Sequence, residues 1–279
     1  MASIGTYNTL KVTRETGSGY YLDGENLGEI LLPGSVAPKD LRWGSAIEVF
    51  LYPDSEDRLV ATTEKPVATV GEFACLEVLT VHPQHGAFLG WGLGKDLLLP
   101  FREQGEQRLD AGDRVVVYIK LDERSQRIVA TTKISRYLSK SPPRYAPAQR
   151  VSFLITHRTP LGYHAIVEGS YSGLVYHSNL GIALEPGQVM EGYVQAVRPD
   201  GKIDLSLDPV GPGRFKDLAD EVMDALAKSG GRLPFDDNSS PEAIRDAFAS
   251  SKKAFKKALS TLYRQRRIRF PEGGGIEKI

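Results

Sequence analysis

The chain has 279 residues, 41% of them hydrophobic and 25% charged, with 35 Lys+Arg balancing 35 Asp+Glu; these are the values of a soluble globular protein of about two to four domains. No apolar run approaches the roughly 20 residues that cross a bilayer, and the opening segment MASIGTYNTLKV lacks the charged and apolar regions of a signal peptide. The single cysteine, Cys75, excludes an internal disulfide and fits a reducing compartment, so a cytoplasmic protein without membrane contact is expected.

The neutral total hides an asymmetry. From Arg214 onward there are 14 Lys+Arg against 10 Asp+Glu, and before it 21 against 25. Residues 251–270 carry eight Lys/Arg and no acid, whereas the first 64 residues hold about 5 basic and 10 acidic groups. That distribution points to an anionic partner approached from the C-terminal end.

In chain order, the first unit opens with Leu10-Lys-Val12 and continues through Gly19-Tyr-Tyr-Leu22, Ile30-Leu-Leu-Pro33, a turn at Gly44, Ala46-Ile-Glu-Val-Phe50 and Arg58-Leu-Val-Ala-Thr-Thr63. The same landmarks recur about 67–69 residues later as Leu76-Glu-Val78, Gly86-Ala-Phe-Leu89, Leu97-Leu-Leu-Pro100, Gly112, Arg114-Val-Val-Val-Tyr118 and Arg127-Ile-Val-Ala-Thr-Thr132. Six landmarks in one order define an internal repeat. Residues 139–149 then hold three prolines and no apolar periodicity, the pattern of a stiff linker that sets the reach between modules.

A third, more divergent copy follows: Val151-Ser-Phe-Leu-Ile155, Gly162-Tyr-His-Ala-Ile-Val167, Gly173-Leu-Val-Tyr-His-Ser178, a Pro186-Gly187 turn, Val189 to Val197, and Lys202-Ile-Asp-Leu-Ser-Leu207. Five short β-rich segments in about 60 residues predict a small five-stranded barrel of the OB type, a frequent binder of nucleic acids. After the break Pro209 to Gly213 the period changes from two to 3.6. Phe215, Leu218, Val222 and Leu226 share one helical face, and Gly230-Gly231 stop it. Ser239-Ser-Pro-Glu242 reads as a capping box opening a second helix through about Phe248. A third helix, Ser251 to Arg264, gathers Ala254, Phe255, Ala258, Leu259, Leu262 and Tyr263 on an apolar face, with Lys253, Lys256, Lys257 and Arg264 opposite. Ile268 to Phe270 and Ile276 to Ile279 read as strands around the turn Gly273 to Gly275.

The expected architecture is mainly β with a C-terminal α+β domain: three tandem barrels at 1–65, 66–138 and 150–210, the linker 139–149, and a winged helix-turn-helix at 214–279.

The third copy resembles the RNA-binding domain named after ribosomal protein S1, through Gly162 to Val167, Gly173 to Ser178 and Gly201 to Leu207. The resemblance implies an RNA face on which His164 takes the principal aromatic position, Leu161 a second one and Tyr176 the position of a histidine; Leu161 removes one stacking ring. Over nearly the whole chain, the string Gly86 to Gln104 and the helix Ser251 to Arg264 make the sequence similar to the conserved virulence factor B family. That resemblance implies a bacterial RNA-binding protein that influences expression of other genes, including virulence traits, and no known catalytic activity.

Single-stranded RNA is held by cations along its backbone and by aromatic faces under its bases. Three regions have those ingredients: Arg158, Tyr163, His164, Tyr176, Arg198 and Lys202 in the third barrel; Lys253, Lys256, Lys257, Arg264 and Arg267 on the basic helix; and a candidate platform of His85, Phe88, Trp91 and Lys95 in the second. Alternation allows only one of Tyr163 and His164 to face outward unless a bulge intervenes, and His164 is favoured. Weak modules in tandem gain through effective concentration. The expected partner is single-stranded RNA; the competing uses are an adaptor docking on ribosomal or RNA-processing machinery, and a DNA-binding regulator.

No enzyme is expected. Gly90 to Asp96 has the wrong glycine spacing for a phosphate loop and carries Asp96 where a hydroxyl is needed. His82 and His85 have no partners at zinc spacing, Ser250-Ser-Lys-Lys253 fits a helix start, and no Ser/His/Asp order or carboxylate pair stands out, so neither metal nor cofactor is expected.

Overall fold

The computed structural model describes the chain except residues 106–107, 181–182, 208–211 and 249 and the side chains of 212–217; the break at Pro209 and the place of Phe215 lie outside the described residues. The chain divides into two compact units, Met1–Tyr137 and Leu138–Ile279.

The first unit holds two closed five-stranded barrels. One is built from β1 (Tyr7–Thr16), β2 (Gly19–Asp23), β3 (Glu29–Pro33), β4 (Ala46–Pro53) and β5 (Leu59–Thr62). The other comprises β6 (Phe73–His82), β7 (Gly86–Gly90), β8 (Leu97–Pro100), β9 (Arg114–Leu121) and β10 (Ile128–Thr131). In each the first three strands form an antiparallel meander, and the third pairs in parallel with the fifth, which returns to the fourth. Alternation fills the interiors: Leu10, Val12, Leu22, Ile30, Leu32, Val49 and Leu51 in one, Leu76, Val78, Leu89, Leu97, Leu99, Val117 and Ile119 in the other. Phe50 points out of its own barrel and joins the second core, its ring 5.9 Å from Trp91 and nearly perpendicular to it.

Two backbone devices repeat. The glycine that opens the second strand lies against the third: a Cβ on Gly19 or Gly86 would fall 2.2 Å from the carbonyl oxygen of Leu32 or Leu99, and both have φ far into the positive range. Each first strand also carries a bulge, at Val12/Arg14 and at Val78/Thr80.

In the second unit, β11 (Arg150–Arg158), β12 (Gly162–Val167), β13 (Tyr171–Tyr176), β14 (Val189–Val197) and β15 (Ile203–Ser206) close a third barrel in the same order. The bulge recurs at Ile155/His157. The proline-rich stretch lies along this barrel: the Ser139 N–H donates to the Ser170 carbonyl at 2.8 Å, Pro143 is buried, and Tyr145 meets the edge of Tyr171.

The remainder is a winged helix of α1 (Pro212–Lys228), α2 (Pro241–Phe248) and α3 (Lys252–Arg264), with β16 (Arg232–Leu233), β17 (Ile268–Arg269) and β18 (Ile276–Lys278) in the order β16-β18-β17. Strand β16 was not expected; two residues after a glycine pair carry too little alternation to read. Helix α2 is capped by the Ser240 hydroxyl accepting from the Ala243 N–H at 3.1 Å, while Ser239 bonds Asp236, so the Ser239–Glu242 box does not form. Ser251 caps α3 through the Ala254 N–H. Ala254, Phe255, Ala258, Leu259 and Leu262 pack on Leu218, Val222, Leu226 and Ile244. Tyr263, expected on that face, is 55% exposed, because it sits at the edge of the stripe and meets Phe270 of the wing. Helix α3 also packs against the short 3-10 helix His177–Asn179 that follows β13. Among the described residues no helix is long and apolar enough to cross a membrane.

Candidate nucleic-acid interface

On the third barrel the bulge in β11 decides which side chains face out. Past it, His157 stands directly opposite His164 of β12, and the two imidazoles stack 4.8 Å apart and only 8° from parallel. Tyr163, one position away, turns inward: it is 5% exposed, belongs to the barrel core and meets His177 edge-on at 5.2 Å. Tyr163 is therefore a core residue, and alternation gives the outward place to His164. His157, absent from the sequence-based candidates, completes the pair; without the bulge, the alternation that buries Ile155 would have turned it inward.

Tyr176 ends β13 on the same outward register. It lies opposite Gly162, whose Cβ would fall 2.1 Å from the Val175 carbonyl oxygen. Its hydroxyl donates to Asp204 at 3.3 Å and accepts from Arg198, which also bonds Asp204 through Nε at 2.8 Å and lies 5.7 Å from the ring centre. Arg198 is thus largely occupied in holding Tyr176. Lys202 is exposed and pairs with Asp200 at 3.0 Å. Arg158 is exposed and has no ion pair among the described residues. Burial pushes the His164 pKa below its usual value, and neighbouring His157, Lys202 and Arg198 push it the same way. The shift favours the neutral imidazole, which offers a stacking face.

The basic helix divides in the same manner. Lys253, Lys256, Lys257 and Arg264 are all exposed on α3. Lys256 lies 3.9 Å from Asp237, and Arg264 bonds the Ser260 carbonyl. Arg267 pairs with Asp220 of α1 at 3.5 Å, and Arg269 with Glu277 of β18 at 2.8 Å. The run without acids is therefore matched by acids that the fold brings from elsewhere, and Arg267 is a partnered cation.

The second-barrel group is mostly structural. Trp91 is 3% exposed, its indole N–H donating to the Lys95 carbonyl at 2.6 Å. Lys95 reaches the first barrel, bonding the Asp54 carbonyl at 2.6 Å and Asp57 at 3.3 Å, and Arg127 binds the same Asp57. These residues brace two barrels, which the sequence of one barrel could not disclose. Phe88 is partly exposed and His85 exposed beside a cavity of about 240 Å³, with Tyr52, Leu98 and Val129 on its walls. His85 stacks on His82 at 4.4 Å.

Comparison with known proteins agrees with this architecture. The S1 domain family matches residues 4–64, the first barrel, and a family described as the CvfB-like winged helix domain matches 220–277. YitL of Bacillus subtilis is 28% identical over 98% of this chain and 93% of its own length. Conserved virulence factor B of Staphylococcus haemolyticus is 27% identical over 97% and 93%. A solved structure from Streptococcus pneumoniae, titled a multidomain protein with nucleic acid binding domains, is 24% identical over 99% of this chain and 98% of its own, with a TM-score of 0.44. The chain is thus similar, along nearly its whole length, to YitL and the conserved virulence factor B proteins, with the S1 domain match at its front and the CvfB-like winged helix match at its end.

Proposed function

We propose that the protein binds single-stranded RNA through the third barrel and the basic face of α3, and that it regulates gene expression post-transcriptionally in the cytoplasm. The observation that carries this reading is the parallel His157–His164 pair on the same outward register as Tyr176, with exposed Lys202 close enough to act on His164 and exposed Arg158 next to His157 in β11. Rings and cations on an OB-type face suit unpaired bases and their phosphates. Helix α3 packs on the 3-10 helix that directly follows Tyr176, and in this proposal its exposed Lys253, Lys256 and Lys257 take up the phosphates of a strand leaving the rings. In this proposal the chain works as four modules, 1–65, 66–138, 150–210 and 214–279, and the name of its relatives fits a regulator.

A second reading, an adaptor docking on ribosomal or RNA-processing proteins, has one observation behind it: the cavity beside Phe88 is walled by Leu98, Val129 and Tyr52. The test is fluorescence anisotropy of a labelled single-stranded RNA of about 20–30 nucleotides, with duplex DNA of the same sequence as competitor, at several salt concentrations. Salt-sensitive binding weakened both by His164→Ala and by alanine at Lys253, Lys256 and Lys257 supports the proposal. No binding of mixed-sequence RNA at low salt overturns it in favour of the adaptor, and preference for the duplex favours a DNA regulator.

A further inference from the structure

Trp43 stands near the end of the loop between β3 and β4 of the first barrel and is 74% exposed. Its indole N–H donates to the Thr13 carbonyl at 3.0 Å, at the bulge of β1. The ring is therefore tethered by its only polar group while most of its surface meets solvent. An exposed indole with no hydrogen bond left to give offers π surface and little else.

The fold does not need an aromatic there. The backbone bond that closes this loop, Gly44 N–H to the Val12 carbonyl, recurs as Gly112 to Val78 and as Gly187 to Ile155. The residues that correspond to Trp43 are then Ala111 and Pro186, and both barrels close without an aromatic ring at that place.

Charge singles out the same spot. Arg14 and Arg58, two of the five basic residues among the acidic first 64, are held by Glu29 at 2.9 Å and Asp54 at 2.7 Å. The other three, Lys11, Lys39 and Arg42, are exposed, and their side chains have no ion pair or hydrogen bond among the described residues. All three lie near Trp43 along the loop or across the neighbouring strand pair. Lys39 and Arg42 share its loop, in which Asp40 is the only acid, and Lys11 lies opposite Ala46, three residues beyond the ring. Arg14, next to the carbonyl that anchors the indole, covers the Tyr21 ring at 4.0 Å.

We infer that Trp43, with Lys11, Lys39 and Arg42 near it, is a stacking site for one base of a single-stranded nucleic acid on the first barrel, a site additional to the third-barrel face. The inference rests on the RNA-binding reading above. A protein partner would leave an acidic barrel with three unpaired cations at the contact unexplained; a phosphate chain uses the ring and the cations together.

The chain has two tryptophans, and the other, Trp91, is buried, so emission that responds to a ligand at the surface reports Trp43. Full-length protein is titrated with a single-stranded RNA of about 12 nucleotides, following tryptophan emission and, separately, anisotropy of the labelled RNA. Quenching that tracks the anisotropy and disappears in Trp43→Phe supports the site, as does an affinity loss of about five- to 150-fold in Trp43→Ala. Trp43→Phe, which keeps a ring, retains most of the affinity. Binding by anisotropy without quenching, or unchanged affinity in a Trp43→Ala protein that melts like the parent, overturns the site and leaves the third-barrel reading standing. Absence of binding in both readouts overturns both.

Discussion

Replacing Lys253, Lys256 and Arg264 together with alanine removes three exposed cations from one side of α3 without touching its buried face. Each cation that neutralises a phosphate of a single strand adds about 0.7 to the slope of log affinity against log salt. Three such contacts are worth a slope change of about 2. Between 50 and 200 mM salt the parent should then lose roughly twentyfold more affinity than the variant does. Arg267→Ala is the internal control: its guanidinium is engaged by Asp220 at 3.5 Å, so it should change the slope by much less than one full contact. Anisotropy titrations at five salt concentrations read all three proteins, and surface substitutions of this kind should move stability by no more than about 0.5 kcal/mol. A triple variant whose slope equals that of the parent refutes the argument, because its cations would then not be meeting phosphates. An Arg267→Ala slope as low as that of the triple variant would show that Arg267 meets RNA rather than Asp220 of α1.

Gly162→Ala should cost about 1–3 kcal/mol in urea denaturation, since its Cβ would fall 2.1 Å from a backbone oxygen of β13, and RNA affinity should fall with it because Tyr176 is displaced. His164 is harder to protonate in the folded protein than its ordinary value of 6.5, so stability is full above that pH and declines as pH falls toward the lower folded value. His164→Gln should flatten the decline in urea midpoint between about pH 7.5 and 5.5, and an unchanged decline would mean another group carries it. Trp91→Ala should destabilise the first unit by about 3–5 kcal/mol, with little specific effect on RNA affinity at temperatures where it stays folded; thermal melts with anisotropy separate the two.

The barrels were legible because their landmarks repeat and because period-two alternation places the same apolar residues inside each time. Leu10, Leu22 and Leu32 and their counterparts Leu76, Leu89 and Leu99 are all in the cores. The winged helix was legible for the corresponding reason at period 3.6, from Ala254 to Leu262. What escaped the sequence depends on contacts between segments far apart in the chain. Arg267 and Arg269 read as free because their acids, Asp220 and Glu277, come from another helix and another strand. Trp91 and Lys95 read as a platform because Phe50 and the Asp54–Asp57 turn, which cover and hold them, belong to the preceding barrel. His157 escaped because a bulge is a backbone event, and nothing in Ile155-Thr156-His157 announces it.

The bulge has a consequence for how such a chain can diversify. In all three barrels it brings a first-strand residue opposite one in the second strand: Arg14 with Tyr21, Thr80 with Phe88, His157 with His164. The three pairs share no chemistry, yet the backbone around them is the same and the cores beneath are alike in kind. A cation over a phenol, a hydroxyl by a phenyl ring and two imidazoles can be exchanged at that place without disturbing what holds the barrel shut. Duplicating one such unit produces three surfaces that vary independently, each through two residues, so a single scaffold acquires several contact preferences while its folding instructions stay unaltered.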